Sequence, residues 1–502
     1  MAGVIPERNN IVSTLTFATN KLAMKIKFCG AAREVTGSAH LITLDDGFKI
    51  LLDCGLYQGG GDDDGQSVDG QPAEQVNPLR HFNDKWLFKP EDINCVVLSH
   101  AHIDHTGRVP KLVADGFSGK IYSTHATRDL CAIMLLDSAK IQEGDAERHN
   151  RHLHGHDEPE QPLYVMEDVR QTMKQFVGYN YEQWFHIHPN VRVVFRDMGH
   201  ILGSASVTLE ITENGQKTMI GFTGDIGRPD RPILGDPVQM PELDYLICES
   251  TYGDRDHETA PQELDQFVQV IRHTCIEKKG KVIIPAFSVG RTQEIVYMLD
   301  KLQNEGRLPW VPVYVDSPLA INATEVFIRH PECFDSELHN YMVEDPNPFG
   351  WNNLYYVRDS HNSRELNKMK KPAIIIAASG MMNAGRIRHH LLNNIENHRN
   401  TFLIVGYCAP NTPGGRLRDG AKSLTIMGQT RQVLADVVIM DSFSAHGDRN
   451  EMLHVISNQK KSVKKLWLTH GTFDRQEKWR SFLMENGFQS VDIPSLGEEV
   501  EL

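Results

Sequence analysis

The 502-residue sequence predicts a layered α/β protein built from two units. Three observations carry that reading. Short β-branched runs at 24–28, 40–44, 48–52, 95–98, 191–195 and 206–211 are punctuated by Gly, Asp and Asn, as strands are. Helical periodicity fills intervals between them, at 126–142 and 166–177. From about 254 to 440 the grammar changes to wholly apolar strands that run into glycine-containing loops and helices: KVIIPAFSVGRTQEIVYML, VPVYVDSPLA, PAIIIAASGMMNAGRIRHHLL and TFLIVGYCAP. Runs of that kind are buried on both faces, the habit of parallel sheets in α/β units.

Composition removes several classes. At 40% hydrophobic and 24% charged, the chain has apolar material for substantial cores, which excludes disorder and fibres. A formal charge of -14 argues against attraction of the whole surface to nucleic acid or anionic membrane, so a polyanionic substrate needs a local positive site. The eight cysteines are dispersed singly without C-x-x-C, so reduced cytoplasmic thiols are the default. No segment approaches the ~20 apolar residues of a membrane span, and no membrane is expected. Residues 1–23, whose apolar stretches are all interrupted, read as an extension or early strand. The Gly- and Asp-rich stretch 59–70 reads as a surface loop, since it lacks the ligand spacing of an EF-hand.

The strongest local signal is VVLSHAHIDHTG, where His100, His102, Asp104 and His105 follow a buried-type strand. In an extended segment His100 and His102 point to one side, and the following turn brings Asp104 and His105 beside them. Further donors follow in order: His200 in DMGHILGS, Asp225 in GFTGDIGRPD and His470 in LWLTHGTFD, each at a strand end beside a tight turn. Imidazole and carboxylate suit zinc, and this many donors exceeds what one tetrahedral structural site uses. The bland alternative is a set of polar loop histidines or a single structural zinc.

Together with Asp53 in ILLDCG, these motifs resemble the metallo-β-lactamase superfamily. The resemblance implies a four-layer αββα sandwich. It assigns one zinc to His100, His102 and His200 and another to Asp104, His105 and His470, with Asp225 and a shared water between them. It makes Asp53 a carboxylate that orients ligating imidazoles, against the alternative of a turn aspartate capping the bend at Gly55.

Asp225 and His470 lie 245 positions apart, a separation that simple members lack. A chain that leaves its sandwich, builds a second α/β unit and returns with the last ligand resembles the β-CASP nucleases. Glu249 in ICESTYGDR, His446 in DSFSAHGD and His470 in LTHG match that family's special motifs, and further likeness runs through GAAREVTGSAHL, GRTQEIVYML, VDSPLA and ASGMMNAGRIRHH. The implied organisation is an extension (1–23), a metallo-β-lactamase body (24–253), a β-CASP insertion (254–440) and a returning segment (441–502).

The implied activity is zinc-dependent hydrolysis of RNA phosphodiester bonds, preferentially endonucleolytic, with a 5′-to-3′ exonucleolytic mode as the alternative. Phosphodiester hydrolysis needs an activated water, charge stabilisation on phosphoryl oxygens and a proton for the leaving oxygen. Two zinc ions supply the first two, and His446, oriented by Glu249, is the candidate acid. Histidine at 470, where the DNA-processing branch typically has valine, favours RNA. Asp53, Asp104, Asp225, Glu249 and His446 are thus the expected catalytic set.

For substrate contacts, Ser379-Gly380-Met381 after a strand and Gly290-Arg291 opening a helix are candidate phosphate cradles, with Arg386, Arg388 and Arg416 as local positive charge. The run His149, His152, His154 and His156 reads as a polar loop, and Trp86 and Trp184 as packing residues. Single-stranded RNA is the expected partner, and a homo-oligomer is open. Rival readings are a hydrolase of DNA or a small ester on the same metal centre, and a noncatalytic RNA-binding scaffold. Zinc and manganese are not distinguished by sequence.

Overall fold

The structure, a computed structural model, describes residues 23–58, 80–151, 159–257, 263–406, 408–409, 411–440 and 445–502. The predicted loop 59–70 and His152, His154 and His156 lie outside the described residues.

The body begins with β1 (Lys25–Phe28), β2 (His40–Thr43), β3 (Lys49–Leu52), β4 (Cys95–Val97), β5 (Lys120–Thr124) and β6 (Phe176–Tyr179). It continues with β7 (Phe185–His188), β8 (Val191–Asp197), β9 (Ala205–Glu213), β10 (Gln216–Phe222) and β11 (Tyr245–Cys248). The next strands are β12 (Lys281–Pro285), β13 (Val313–Val315), β14 (Leu354–Tyr356), β15 (Ala373–Ala377) and β16 (Thr401–Val405). A hairpin, β17 (Ser423–Ile426) and β18 (Gln429–Gln432), precedes β19 (Asp436–Met440), and β20 (Lys465–Leu468), β21 (Val491–Asp492) and β22 (Glu499–Glu501) close the chain.

Two seven-stranded sheets result, ordered β22-β1-β2-β3-β4-β5-β6 and β21-β20-β11-β10-β9-β8-β7. Alternation along the strands decides what each face meets. Ile26, Ile42, Ile50 and Val97 of the first sheet share one core with Val193, Val207, Leu209 and Ile247 of the second. The opposite face of the first sheet, through Leu51, Val96 and Ile121, packs on Leu112, Leu130 and Leu135 from helices. The opposite face of the second, through Leu246 and Leu468, packs on Met452, Ile456, Trp479 and Leu483. This is the expected αββα sandwich.

The third sheet, β14-β13-β15-β12-β16-β19, is parallel throughout and covered on both faces, which explains its uninterrupted apolar runs. Ile283, Ile375 and Phe402 meet Ile387 and Leu391 on one side. Val282, Ile374 and Leu403 meet Phe267, Ile295 and Val326 on the other. The excursion begins after β11 and ends at β20, and these two strands are parallel neighbours with Cys248 opposite Leu468.

Two helix expectations change in extent. The one expected at 126–142 runs from His125 to Asn150: Thr124 Oγ1 caps its start by accepting from Thr127 N at 3.1 Å, and past Gln142 the helix formers Glu143, Ala146, Glu147 and Arg148 carry it on without an apolar stripe. His149 falls in its last turn. The one expected at 166–177 stops at Met173, and Phe176–Tyr179 instead pairs with β5 as the sheet's edge. Among the described residues no helix is long and apolar enough to cross a membrane.

Candidate metal centre

The predicted donors gather where strands end. β3 and β4 are parallel, as are β10, β11 and β20, so their carboxyl ends deliver side chains to one edge of the sandwich. Asp53 follows β3, His100 follows β4, Asp225 follows β10, Glu249 follows β11 and His470 follows β20. One helical turn, Ile103–Thr106, swings Asp104 and His105 back towards His100. The His200 loop joins β8 to β9, and His446 lies just before the helix Arg449–Ile456. Asp53 and His470 both hold positive φ, at 56° each, a conformation non-glycine residues rarely keep without surrounding support.

The side chains form two clusters around one carboxylate. His102 Nδ1 lies 3.1 Å from both His100 Nε2 and His200 Nε2. Asp225 Oδ2 lies 3.5 Å from each of those Nε2 atoms. In the second cluster His105 Nε2 lies 3.1 Å from His470 Nε2, and His470 Nε2 lies 3.4 Å from Asp104 Oδ2. Asp225 Oδ1 approaches His105 Nε2 at 3.3 Å, so each oxygen of Asp225 addresses one cluster. Beside them, His446 Nδ1 lies 3.4 Å from Glu249 Oε1, whose carboxylate also accepts from Ile226 N at 2.6 Å and Thr251 N at 3.1 Å.

Comparison with known proteins agrees with this geometry. Residues 32–174 match the metallo-beta-lactamase superfamily, 292–417 the Beta-Casp domain and 430–494 the Zn-dependent metallo-hydrolase RNA specificity domain. Over 477 residues, 95% of this chain and 100% of the relative, the sequence is 32% identical to Ribonuclease TTHA0252 of Thermus thermophilus. The chain belongs to the β-CASP family of the metallo-β-lactamase superfamily. An RNase J-like protein of Methanocaldococcus jannaschii is 31% identical to this β-CASP chain over 449 residues, 89% of the chain and 92% of the relative. Transcription termination factor FttA of the same organism is 30% identical over 460 residues, 89% of the chain and 67% of the relative. A crystal structure of an Enterococcus faecalis protein of unknown function covers 96% of the chain at 13% identity and a TM-score of 0.54, a likeness of fold alone.

As a member of this superfamily, the β-CASP chain is a metal-dependent hydrolase, and its side chains fit a divalent cation. Two ring nitrogens, His100 Nε2 and His200 Nε2, crowd within hydrogen-bond distance of a third, His102 Nδ1, a gathering of lone pairs that a cation relieves. Asp225 Oδ1 is buried and accepts no hydrogen bond from the described residues. Burial, with neighbouring imidazoles, holds His100 and His200 well below the ordinary histidine value, and burial brings His102 down to about 4. These three are thereby favoured in the uncharged form, the one in which imidazole can ligate a metal. Burial also opposes charge on His105 and His470, yet the carboxylates of Asp225 and Asp104 raise both. The carboxylates of the second cluster therefore favour positive charge there.

The substrate candidates fare differently. Ser379, Gly380 and Met381 occupy the loop after β15, where Gly380 O accepts from Cys408 Sγ and Met381 O from Gly414 N. Arg386 turns inward: its guanidinium donates to Asp316 Oδ1 at 2.6 Å, to Val357 O at 2.9 Å and to Arg358 O at 2.7 Å. Arg291 is buried against Glu294, which also pairs with Arg231 at 3.3 Å. Arg386 thus braces the loops around it, and Arg291 pairs within the first turn of its own helix. Trp86 packs under Arg108 and donates to Asp115, and Arg192 covers Trp184.

Three contributors escaped the sequence reading. Ser99 donates through N and Oγ to Asp53, Thr251 Oγ1 lies 3.0 Å from His470 Nδ1, and His257 bonds the His446 loop. Adjacency to His100 and Glu249 was the available signal for the first two. His257 had none.

Proposed function

We propose that this protein is a zinc-dependent ribonuclease that cleaves single-stranded RNA endonucleolytically, leaving a 5′-phosphate and a 3′-hydroxyl. The observation that carries the reading is the Glu249–His446 pair standing 3.9 Å from Asp225, the carboxylate common to both donor clusters. A small-ester hydrolase has no need of such an acid beside its metals. The RNA specificity domain match over 430–494 and the ribonuclease relative support RNA over DNA.

His100, His102 and His200 would hold one zinc ion and Asp104, His105 and His470 the other, with Asp225 shared. When bound, the zinc pair supplies Lewis acidity, acidifying water and neutralising charge that builds on the phosphoryl oxygens. Asp53 fixes His105 through its Nδ1. Glu249 accepts from His446 Nδ1–H, which leaves Nε2 to give its proton to the departing 3′ oxygen. Burial disfavours the charged ring, and Glu249 together with Asp225 and Asp104 outweighs it, raising His446 to about 9 in the metal-free chain. RNA preference lies in binding, since this route does not use the 2′-hydroxyl.

The domain reading belongs to the same proposal: a body of 24–253 and 441–502 with 254–440 inserted, acting in the cytoplasm on RNA. Mapping the products of labelled RNA and of a matched DNA oligonucleotide tests it, with zinc and manganese compared in parallel. Cleavage of the DNA alone, or of neither by metal-loaded protein, overturns it.

A further inference from the structure

The chain leaves the body through residues 253–257 and comes back through residues 445–450, and these two passages are bonded together. Arg449 N donates to Arg255 O at 3.1 Å, and His257 N donates to Asp448 Oδ2 at 3.0 Å. Asp256 pairs with Arg449 at 2.8 Å and accepts from Asn450 Nδ2 at 2.9 Å. One further bond reaches the proposed acid itself: His257 Nε2 lies 3.0 Å from the carbonyl oxygen of His446.

A carbonyl only accepts, so His257 carries its proton on Nε2 and donates it. The His446 peptide is held from the other side as well. Residue 446 forms an antiparallel bridge with Gly227, and Gly447 N donates to Ile226 O at 2.8 Å. Ile226 N in turn donates to Glu249, the partner of the His446 ring. With the Cα of His446 trapped between these anchors, two side-chain torsions are all that aim its ring. The ring of Tyr252 lies 4.8 Å from that of His257 and 6.0 Å from that of His446, which limits sideways play.

We infer that His257 is a positioning residue for the acid: its Nε2–H holds the His446 carbonyl, and so the His446 ring, in register with Glu249 and Asp225. This rests on the proposed role of His446. A proton donor displaced by about 1 Å loses up to about a hundredfold in rate, while substrate binding is untouched. The bond also ties the acid to the turn segment 253–257, through which the chain leaves the body.

The test uses the full-length, metal-loaded protein. His257→Phe keeps a ring against Tyr252 and removes the donor, and His257→Gln restores an amide N–H at similar reach. The expected result is a kcat about 10- to 100-fold lower for His257→Phe with KM within about twofold, and recovery of most of that loss in His257→Gln. Combining His257→Phe with His446→Ala should slow the enzyme no further than His446→Ala alone, because both changes remove one function. Additive losses, an unchanged kcat in His257→Phe, or loss of bound metal in both His257 variants overturns the proposal. If His446→Ala cleaves at the wild-type rate, the acid reading itself falls and takes this role with it, an outcome distinct from the others.

Discussion

Asp53 Oδ2 lies 2.7 Å from His105 Nδ1, and this contact decides which nitrogen of His105 faces the donor cluster. Asp53 is fully buried and accepts as well from Ser38 Oγ, Ser99 N and Ser99 Oγ. Three of these four donors converge on Oδ2, and the carboxylate holds His105 with Nδ1–H towards itself and Nε2 towards Asp225 and His470. The capping role at Gly55 is not the one its side chain plays.

Asp53→Ala frees that ring and removes the acceptor of Ser99 N. Divalent-metal affinity should fall about 10- to 100-fold while the fold persists. Competition with a chromogenic chelator measures the first and far-UV circular dichroism the second.

His446→Ala removes the proposed proton donor and none of the seven metal-ligand candidates. The cleavage rate should fall about 10²- to 10⁴-fold with full metal content by elemental analysis. Undiminished cleavage removes His446 from the mechanism.

Gly55 lies against the helical turn that carries Asp104: a Cβ there would stand 1.6 Å from the carbonyl oxygen of Asp104. That oxygen is also the acceptor for Ser38 N at 2.8 Å. Gly55→Ala therefore cannot be absorbed by a side-chain rotation. Denaturant unfolding of the metal-free protein should show a loss of about 3 kcal/mol or more, accompanied by weaker metal binding.

His40 gives a pH dependence independent of catalysis. It is fully buried between Phe28 and Phe222, with neither ring nitrogen hydrogen-bonded among the described residues, and burial takes it down to about 3. The unfolded chain takes up this proton near 6.5 and the folded chain only near 3, so stability is lost as pH falls through that window. Between pH 7 and 5 the metal-free wild type should lose roughly 2 kcal/mol more than metal-free His40→Leu. Parallel unfolding curves at the two pH values report the difference, and equal losses would refute it.

Local patterns were legible where short-range geometry alone decides placement. The spacing of His100, His102, Asp104 and His105 works because a strand end followed by one helical turn puts four donors on one side whatever the rest of the chain does. The apolar runs of the third sheet were legible because burial on both faces leaves no room for polar alternation. Orientation of long side chains was not. Arg386 is close in sequence to Ser379, yet its guanidinium belongs to Asp316, seventy positions earlier. Its direction depends on β13 and β15 being neighbours in one sheet.

Residue type and order determined by themselves that the chain is an α/β protein with a histidine- and aspartate-rich strand-end site, since imidazole and carboxylate chemistry travels with the residue. Only the tertiary structure decided that Asp225 offers one oxygen to each cluster, that Glu249 faces His446, and that His257 grips the acid's backbone. Those facts depend on sheet register. β11 and β20 lie side by side because their apolar faces and backbone hydrogen bonds are satisfied together, and nothing in the 216 residues between Cys248 and Lys465 encodes that match locally.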